Sequence, residues 1–247
     1  MASPMALFRR RRAPRWLTVL VALVLFTLTG FVAWEAWWWP DVPALGKRNP
    51  PSTAFIDRYR AQERAQGRDG RVAWTWVSYA AVSPNLKRAV LVAEDIGFFR
   101  HRGFEPAELR SAVERALETH EMPRGASTIT QQLAKNLWLS PARSPVRKLK
   151  EAMLTWQLER NLSKRRILEL YLNVAEFGPG VYGAEAASRR YFGKPAASLT
   201  EDEAAQLAAG LPSPRIWHPG ASGPGYRKYV ETIKRRMARA EFLAKLL

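Results

Sequence analysis

The sequence predicts an all-α protein, one helical domain behind a single N-terminal transmembrane helix. Three observations carry this. From residue 83 onward, helix-start residues are followed repeatedly by apolar positions three and four apart. Only Arg71 to Tyr79, rich in β-branched and aromatic residues, reads as a persuasive extended segment. Leu17 to Trp34 is an uncharged, overwhelmingly apolar run of 18 residues, continued past Glu35 by Ala36 to Trp39.

At about 1.5 Å per residue, residues 17–39 are long enough to cross a bilayer. Residues 1–16 form a basic tail that stays cytoplasmic, and Trp34, Trp37, Trp38 and Trp39 make an aromatic belt at the far interface. Everything after Pro40 is then expected outside the cytoplasm. A cleaved signal peptide would have a shorter apolar core and a small-residue exit. Residues 40–70 are a linker and lead-in: Pro40 to Pro51 holds four prolines, and Phe55 to Gln66 reads as a polar surface helix. Residues 71–247 are the functional domain.

With 247 residues, 47% of them hydrophobic, the chain can bury a sizeable core. Its formal charge is +17; Arg9, Arg10, Arg11, Arg12 and Arg15 supply five of this and leave +12 on the remainder. That remainder calls for an anionic partner: nucleic acid, anionic lipid headgroups or a phosphorylated substrate. The expected topology puts the charge on the wrong side of the membrane for nucleic acid. Cysteine is absent, which excludes disulfides and thiolate metal sites. Three histidines, His101, His120 and His218, are too few to favour zinc.

Within the domain, Ser83-Pro84 starts a helix whose apolar face is Leu86, Val90 and Ala93, and which delivers Glu94 and Asp95 at its C-terminal end. Two acids there oppose the helix macrodipole, so the pair invites a functional reading beside the bland one of a solvated turn. A helix is expected over Pro106 to Thr119. Ser127 is expected to cap Thr128 to Trp138, with Ile129, Leu133 and Leu137 inward and Gln131, Gln132, Lys135 and Asn136 on the other face. Those four polar groups suit a solvated surface or a grip on sugar or phosphate.

Ser144-Pro145 starts the next helix, with Leu149, Ala152, Met153 and Trp156 inward and Glu151 near its start. Ser163 caps a helix through Ile167, Leu168, Tyr171 and Leu172 to Asn173, and Phe177 to Ala184 reads as a glycine-rich turn. Thr200 to Glu203 is a capping box, Pro212 to Gly225 a loop, and Tyr226 to Leu247 a closing segment striped by Val230, Ile233, Met237 and Ala240.

Several of these stretches coincide with one pattern, and the chain resembles the family 51 glycosyltransferases, the peptidoglycan glycan-chain polymerases. Glu94-Asp95-x-x-Phe98-x-x-His101-x-Gly103 matches the family's first motif. Gly125-x-Ser127-Thr128-Ile129-x-Gln131-Gln132-Leu133-x-Lys135-Asn136 matches the second and Arg147-Lys148-x-x-Glu151 the third. Lys164-x-x-Ile167-Leu168-Glu169-x-Tyr171-Leu172-Asn173 and Gly180-x-x-Gly183-Ala184 follow as the fourth and fifth. No Ser-x-x-Lys and no Lys-Thr-Gly occurs, so the similarity is to the monofunctional, membrane-anchored form.

The resemblance implies a lysozyme-like two-lobed helical fold, with residues 104–124 in the smaller, membrane-facing lobe. It implies transfer of C1 of a lipid-pyrophosphate-linked glycan to the 4-hydroxyl of lipid II, with inversion and release of undecaprenyl pyrophosphate. On this reading Glu94 and Glu151 are catalytic, and Glu94 is the general base. Lys135 and Arg143 hold the pyrophosphate, while Ser127, Gln131 and Gln132 either position pyrophosphate and sugars or brace the cleft. Glu151 has three roles open to it: orienting those cations, holding a divalent metal (Mg or Mn) on the pyrophosphate, or assisting the leaving oxygen. His101 is a structural hydrogen-bonding residue of the motif.

No tightly bound cofactor is expected. Partners are lipid II and the growing strand, the membrane, and proteins of cell-wall synthesis or division, at the bacterial inner membrane with the domain in the periplasm. Alternatives are a lysozyme-like hydrolase or lytic enzyme, or a non-catalytic membrane-anchored scaffold.

Overall fold

The structure, a computed structural model, describes residues 15–37, 39–105, 127–142, 144–221 and 223–247. The chain divides into two compact units, Met1–Asp41 and Val42–Leu247. The first holds α1, Arg15–Trp37, a helix of 23 residues that spans about 35 Å at 1.5 Å per residue. Its described apolar side chains, among them Leu20, Leu23, Val24, Leu25 and Phe26, are exposed. Among the described residues no helix is long and apolar enough to cross a membrane. Eight side chains of α1, at positions 15, 18, 21, 28, 31, 32, 35 and 36, lie outside that description.

The second unit is helical around a small sheet. Thr53 caps α2 (Ala54–Ala65), its hydroxyl oxygen accepting from the Ile56 N–H at 3.1 Å. Strand β1 (Ala73–Trp74) follows, then α3 (Pro84–Glu94), begun by Ser83 and Pro84 at its N-terminus. Next come α4 (Ile129–Trp138), α5 (Pro145–Asn161) and α6 (Lys164–Val174). Strands β2 (Glu176–Gly178) and β3 (Val181–Tyr182) precede α7 (Ala184–Phe192), α8 (Glu201–Gly210) and α9 (Pro224–Arg239).

These elements form two packed groups. Helix α4 lies against α5 and α6, with α2 beside it, and α8 lies against α3 and α9. The sheet runs β1-β3-β2, with β1 parallel and β2 antiparallel to β3. Leu86, Val90 and Leu91 of α3, Leu133 of α4, Leu154 and Leu158 of α5 and Ile167 and Leu168 of α6 are buried. Asn173 fastens the sheet region to α6. Its side chain accepts from Val77 N–H and donates to Val77 and Glu169 carbonyls, while its own carbonyl accepts from the Trp74 indole at 2.7 Å.

Four sequence expectations need correction. Phe177 to Ala184 is not a bare turn, because Pro179 and Gly180 join β2 to β3 as a hairpin and β1 pairs with β3. Two- and three-residue strands are too short for their alternation to register as a pattern. The N-cap of α4 is Thr128, not Ser127, and it forms a complete capping box with Gln131. On α5 the inward face is Glu151, Leu154, Thr155 and Leu158, whereas Leu149, Met153 and Trp156 are 63%, 48% and 54% exposed. The apolar phase misleads there because the buried face carries a carboxylate and a hydroxyl. Helix α9 begins at Pro224, two residues ahead of the expected start. The helix expected over Pro106 to Thr119, and with it most of the smaller lobe expected at 104–124, lies outside the described residues.

Gly183 sits where β3 turns into α7, at φ 81° and ψ 155°, a region open essentially to glycine alone. A Cβ there would lie 2.7 Å from the Asn173 carbonyl oxygen. Gly183→Ala is expected to destabilise the domain by about 1–3 kcal/mol, read as a lower urea midpoint; an unchanged midpoint would contradict this close approach.

Candidate active site

Helix α3 ends by presenting two carboxylates that go separate ways. Asp95 is the C-cap, its N–H donating to the Leu91 carbonyl. Its carboxylate accepts from Nε2–H of His101 at 2.9 and 3.1 Å and from the Ile129 N–H at 3.0 Å. That N–H is the first of α4, so Asp95 lies at a helix N-terminus, where the macrodipole favours an anion. The unfavourable placement at the end of α3 is thereby offset by the start of α4.

His101 is the buried second tier of this clamp. Its Nδ1 accepts from the Gly103 N–H at 3.1 Å, which assigns the proton to Nε2. Gly103 adopts φ +89°, and a Cβ on it would meet Thr155 Cγ2 at 2.7 Å. Its carbonyl accepts from the Thr128 hydroxyl at 2.7 Å. The expected structural part for His101 is what the geometry supports.

Glu94 is left to the cleft. Its Oε2 accepts from Gln132 Nε2 at 2.7 Å, and Gln132 also donates to the Ser127 carbonyl at 3.3 Å and accepts from the Tyr171 hydroxyl at 3.0 Å. Burial pushes the Glu94 carboxyl above the ordinary carboxylate range, an effect moderated by the Gln132 hydrogen bond and by Lys135 and added to by Asp95. Burial likewise lowers the Lys135 ammonium; Glu151 and Glu94 oppose that, while Arg147 and Lys148 reinforce it. Gln132, Lys135, Asn136 and Tyr171 line a cavity of about 330 Å³, closed on other sides by Phe55, by Glu176 and by the loop from Leu211 to Ile216.

Glu151 is only 3% exposed. One oxygen accepts from Lys148 and the other from Arg147, one turn or less away on α5. A buried anion with two cations holds them in fixed positions, and its influence on Lys135 ties α5 electrostatically to the cleft.

Of the residues singled out by sequence, Gln132 and Lys135 line the cavity, Glu94 is one hydrogen bond behind Gln132, and Glu151 acts on Lys135 through space. Ser127 contributes its carbonyl to Gln132. Gln131 stands apart from the cavity: it is buried, and its Oε1 accepts from the Thr128 N–H at 3.0 Å in the capping box. Its described side-chain contact is that of a helix cap. Arg143 lies outside the described residues. Sequence reasoning gave Tyr171 no part beyond its place on a helix face and in the fourth motif, and it singled out neither Glu176 nor Arg215. A tyrosine on a buried helix face signals a polar partner for its hydroxyl, whereas nothing local in the sequence joins Glu176 to Arg215.

Comparison with known proteins accords with this geometry. The family model described as Transglycosylase matches residues 62–240. A biosynthetic peptidoglycan transglycosylase of Thiobacillus denitrificans is 45% identical over 226 residues, 90% of this chain and 95% of that protein. Proteins of the same description from an Azoarcus species and from Methylobacillus flagellatus are 44% and 43% identical, each over 92% of this chain and 96% of the relative. Matched over most of its length by the family model and by these relatives, the chain belongs to the transglycosylase family.

Proposed function

We propose that this transglycosylase polymerises peptidoglycan glycan chains from lipid II. The donor is the growing strand, linked through pyrophosphate to its undecaprenyl lipid. Its C1 passes with inversion to the 4-hydroxyl of the acceptor lipid II, and undecaprenyl pyrophosphate departs. The observation that carries this reading is the desolvated Glu94, oriented by Gln132 beside a cavity that also holds the buried cation Lys135. A carboxylate with raised proton affinity suits removal of a hydroxyl proton, a contribution of about 10²- to 10⁴-fold. A fixed cation in a partly dehydrated cleft suits the charge that grows on a leaving pyrophosphate.

Glu151 fits the first of its three roles best. Both of its oxygens are engaged by Arg147 and Lys148, which orients cations toward the pyrophosphate end and leaves no free oxygen for a leaving group. No group of three or more metal-binding side chains occurs among the described residues, and a divalent cation (Mg or Mn) held mainly on the substrate's pyrophosphate is compatible with this arrangement, where it would neutralise charge on the leaving group. The buried cation Lys135 in the same cavity favours transfer from a pyrophosphate-linked donor over hydrolysis on this scaffold, since a glycoside leaving group carries no such charge. Arg143 is assigned, with Lys135, to the pyrophosphate in this proposal.

Helix α1, with 18 consecutive uncharged residues in its sequence and exposed apolar side chains, is read as the anchor. It would hold the domain on the outer face of the bacterial inner membrane, where the lipid-linked substrate resides, with the basic tail on the cytoplasmic side.

Glu94→Gln is expected to lower polymerisation of labelled lipid II by about 10²- to 10⁴-fold while thermal stability is kept or raised. The sign follows from the raised affinity for a proton: the fold favours neutral Glu94, a contribution complete below the unfolded-chain pKa and lost as pH rises through the higher folded value. A neutral isostere retains it at pH 7. Polymer formed at the wild-type rate would remove Glu94 as the base. Removal of residues 1–37 is expected to abolish co-flotation with liposomes; flotation equal to that of the full chain would refute the anchor.

A further inference from the structure

Two cations reach the cavity by way of one helix. On α2, Phe55 and Tyr59 stand one turn apart, about 6 Å along the axis. The Lys135 ammonium lies 6.0 Å from the Phe55 ring centre and the Arg215 guanidinium 5.6 Å from that of Tyr59. Lys135 shares its surroundings with Glu151, Arg147 and Lys148, but Arg215 is not among the groups that perturb it. Arg215 has a different counter-ion: its Nε–H donates to Oε1 of Glu176 at 3.3 Å.

The exposures of this pair are unequal. The Glu176 side chain is 10% exposed and that of Arg215 54%, while both residues line the cavity. A buried carboxylate on β2 thus holds a half-exposed guanidinium by one edge at the cavity wall. Arginine's planar fork is suited to paired hydrogen bonds with an oxyanion, and stacking on an aromatic ring restricts its swing. A contact that served only to fasten the 211–216 loop would need neither the open guanidinium nor the aromatic support.

Resting on the glycosyltransferase reading above, we infer that Arg215, oriented by Glu176 and Tyr59, binds an oxyanion of lipid II at the cavity wall formed by Glu176 and the 211–216 loop. Lipid II offers two oxyanion sources, the carboxylates of its peptide and its pyrophosphate. Arg215 is then a binding residue whose loss weakens substrate capture, and Glu176 is a positioning residue.

The test uses the full-length protein in detergent and follows initial rates against lipid II concentration. Arg215→Ala is expected to raise KM about tenfold with kcat within twofold of wild type, Arg215→Lys to recover part of the loss, and the thermal midpoint to stay unchanged. Lipid II with amidated peptide carboxylates separates the sources. If the carboxylate is bound, amidation raises KM for wild type and not for Arg215→Ala. If the pyrophosphate is bound, amidation acts equally on both, and inhibition by inorganic pyrophosphate weakens in Arg215→Ala. An unchanged KM in Arg215→Ala, or a raised KM with wild-type sensitivity to both amidation and pyrophosphate, overturns the inference and leaves the polymerase reading intact. Absence of polymer from the wild-type protein would instead overturn that reading.

Discussion

One carboxylate joins the two helical groups at the point where chemistry is proposed. Asp95 closes the C-terminus of α3 and opens the N-terminus of α4, accepting from the Ile129 N–H and from His101. Each contact is charge-assisted or dipole-favoured, so the junction is worth more than an ordinary neutral hydrogen bond. Glu94 is its immediate neighbour and Gln132 lies on the first turn of α4. The 2.7 Å bond between them therefore depends on the helices meeting at the angle that Asp95 fixes. His101, Gly103 and Thr128 extend the same lock to α5 through the tight packing of Gly103 on Thr155.

Around this joint the cleft sorts charge by burial. Glu94 has Gln132 and Tyr171 next to it instead of a contacting cation, and desolvation raises its proton affinity. Glu151, in contrast, is held between Arg147 and Lys148. Two glutamates so differently surrounded match the different work proposed for them, one accepting a proton and the other arranging positive charge. Lys135 lies under the influence of both, and the proposed mechanism uses it as the cation for the leaving pyrophosphate.

Much of this was legible in the sequence, and the reasons differ by element. Caps at Ser83, Ser144, Ser163 and Thr200 act through their own side chains on nearby N–H groups, so local pattern sufficed to start α3, α5, α6 and α8. Glu94, Gln132, Lys135 and Glu151 were singled out through the motifs that the chain shares with the family. Two features were beyond reach. The burial phase of α5 is governed by Glu151 and Thr155, polar residues that periodicity counts as surface. The sheet and the Glu176–Arg215 contact join residues far apart in the chain through strands of two or three residues. Gln131, whose type suits sugar binding, also serves the helix cap by its position three residues after Thr128.

The central claim, that Glu94 is a base whose proton affinity is set by burial and tempered by Gln132, is tested most directly by the pH dependence of kcat/KM for wild type and Gln132→Met. The base must be ionised, so activity is lost as pH falls through its raised pKa, placing the acid limb above the ordinary carboxylate value of about 4.3. Removing the donor that favours the charged form moves that limb to still higher pH. An acid limb that stays in place in Gln132→Met, or a wild-type limb at the ordinary value, would contradict the assignment.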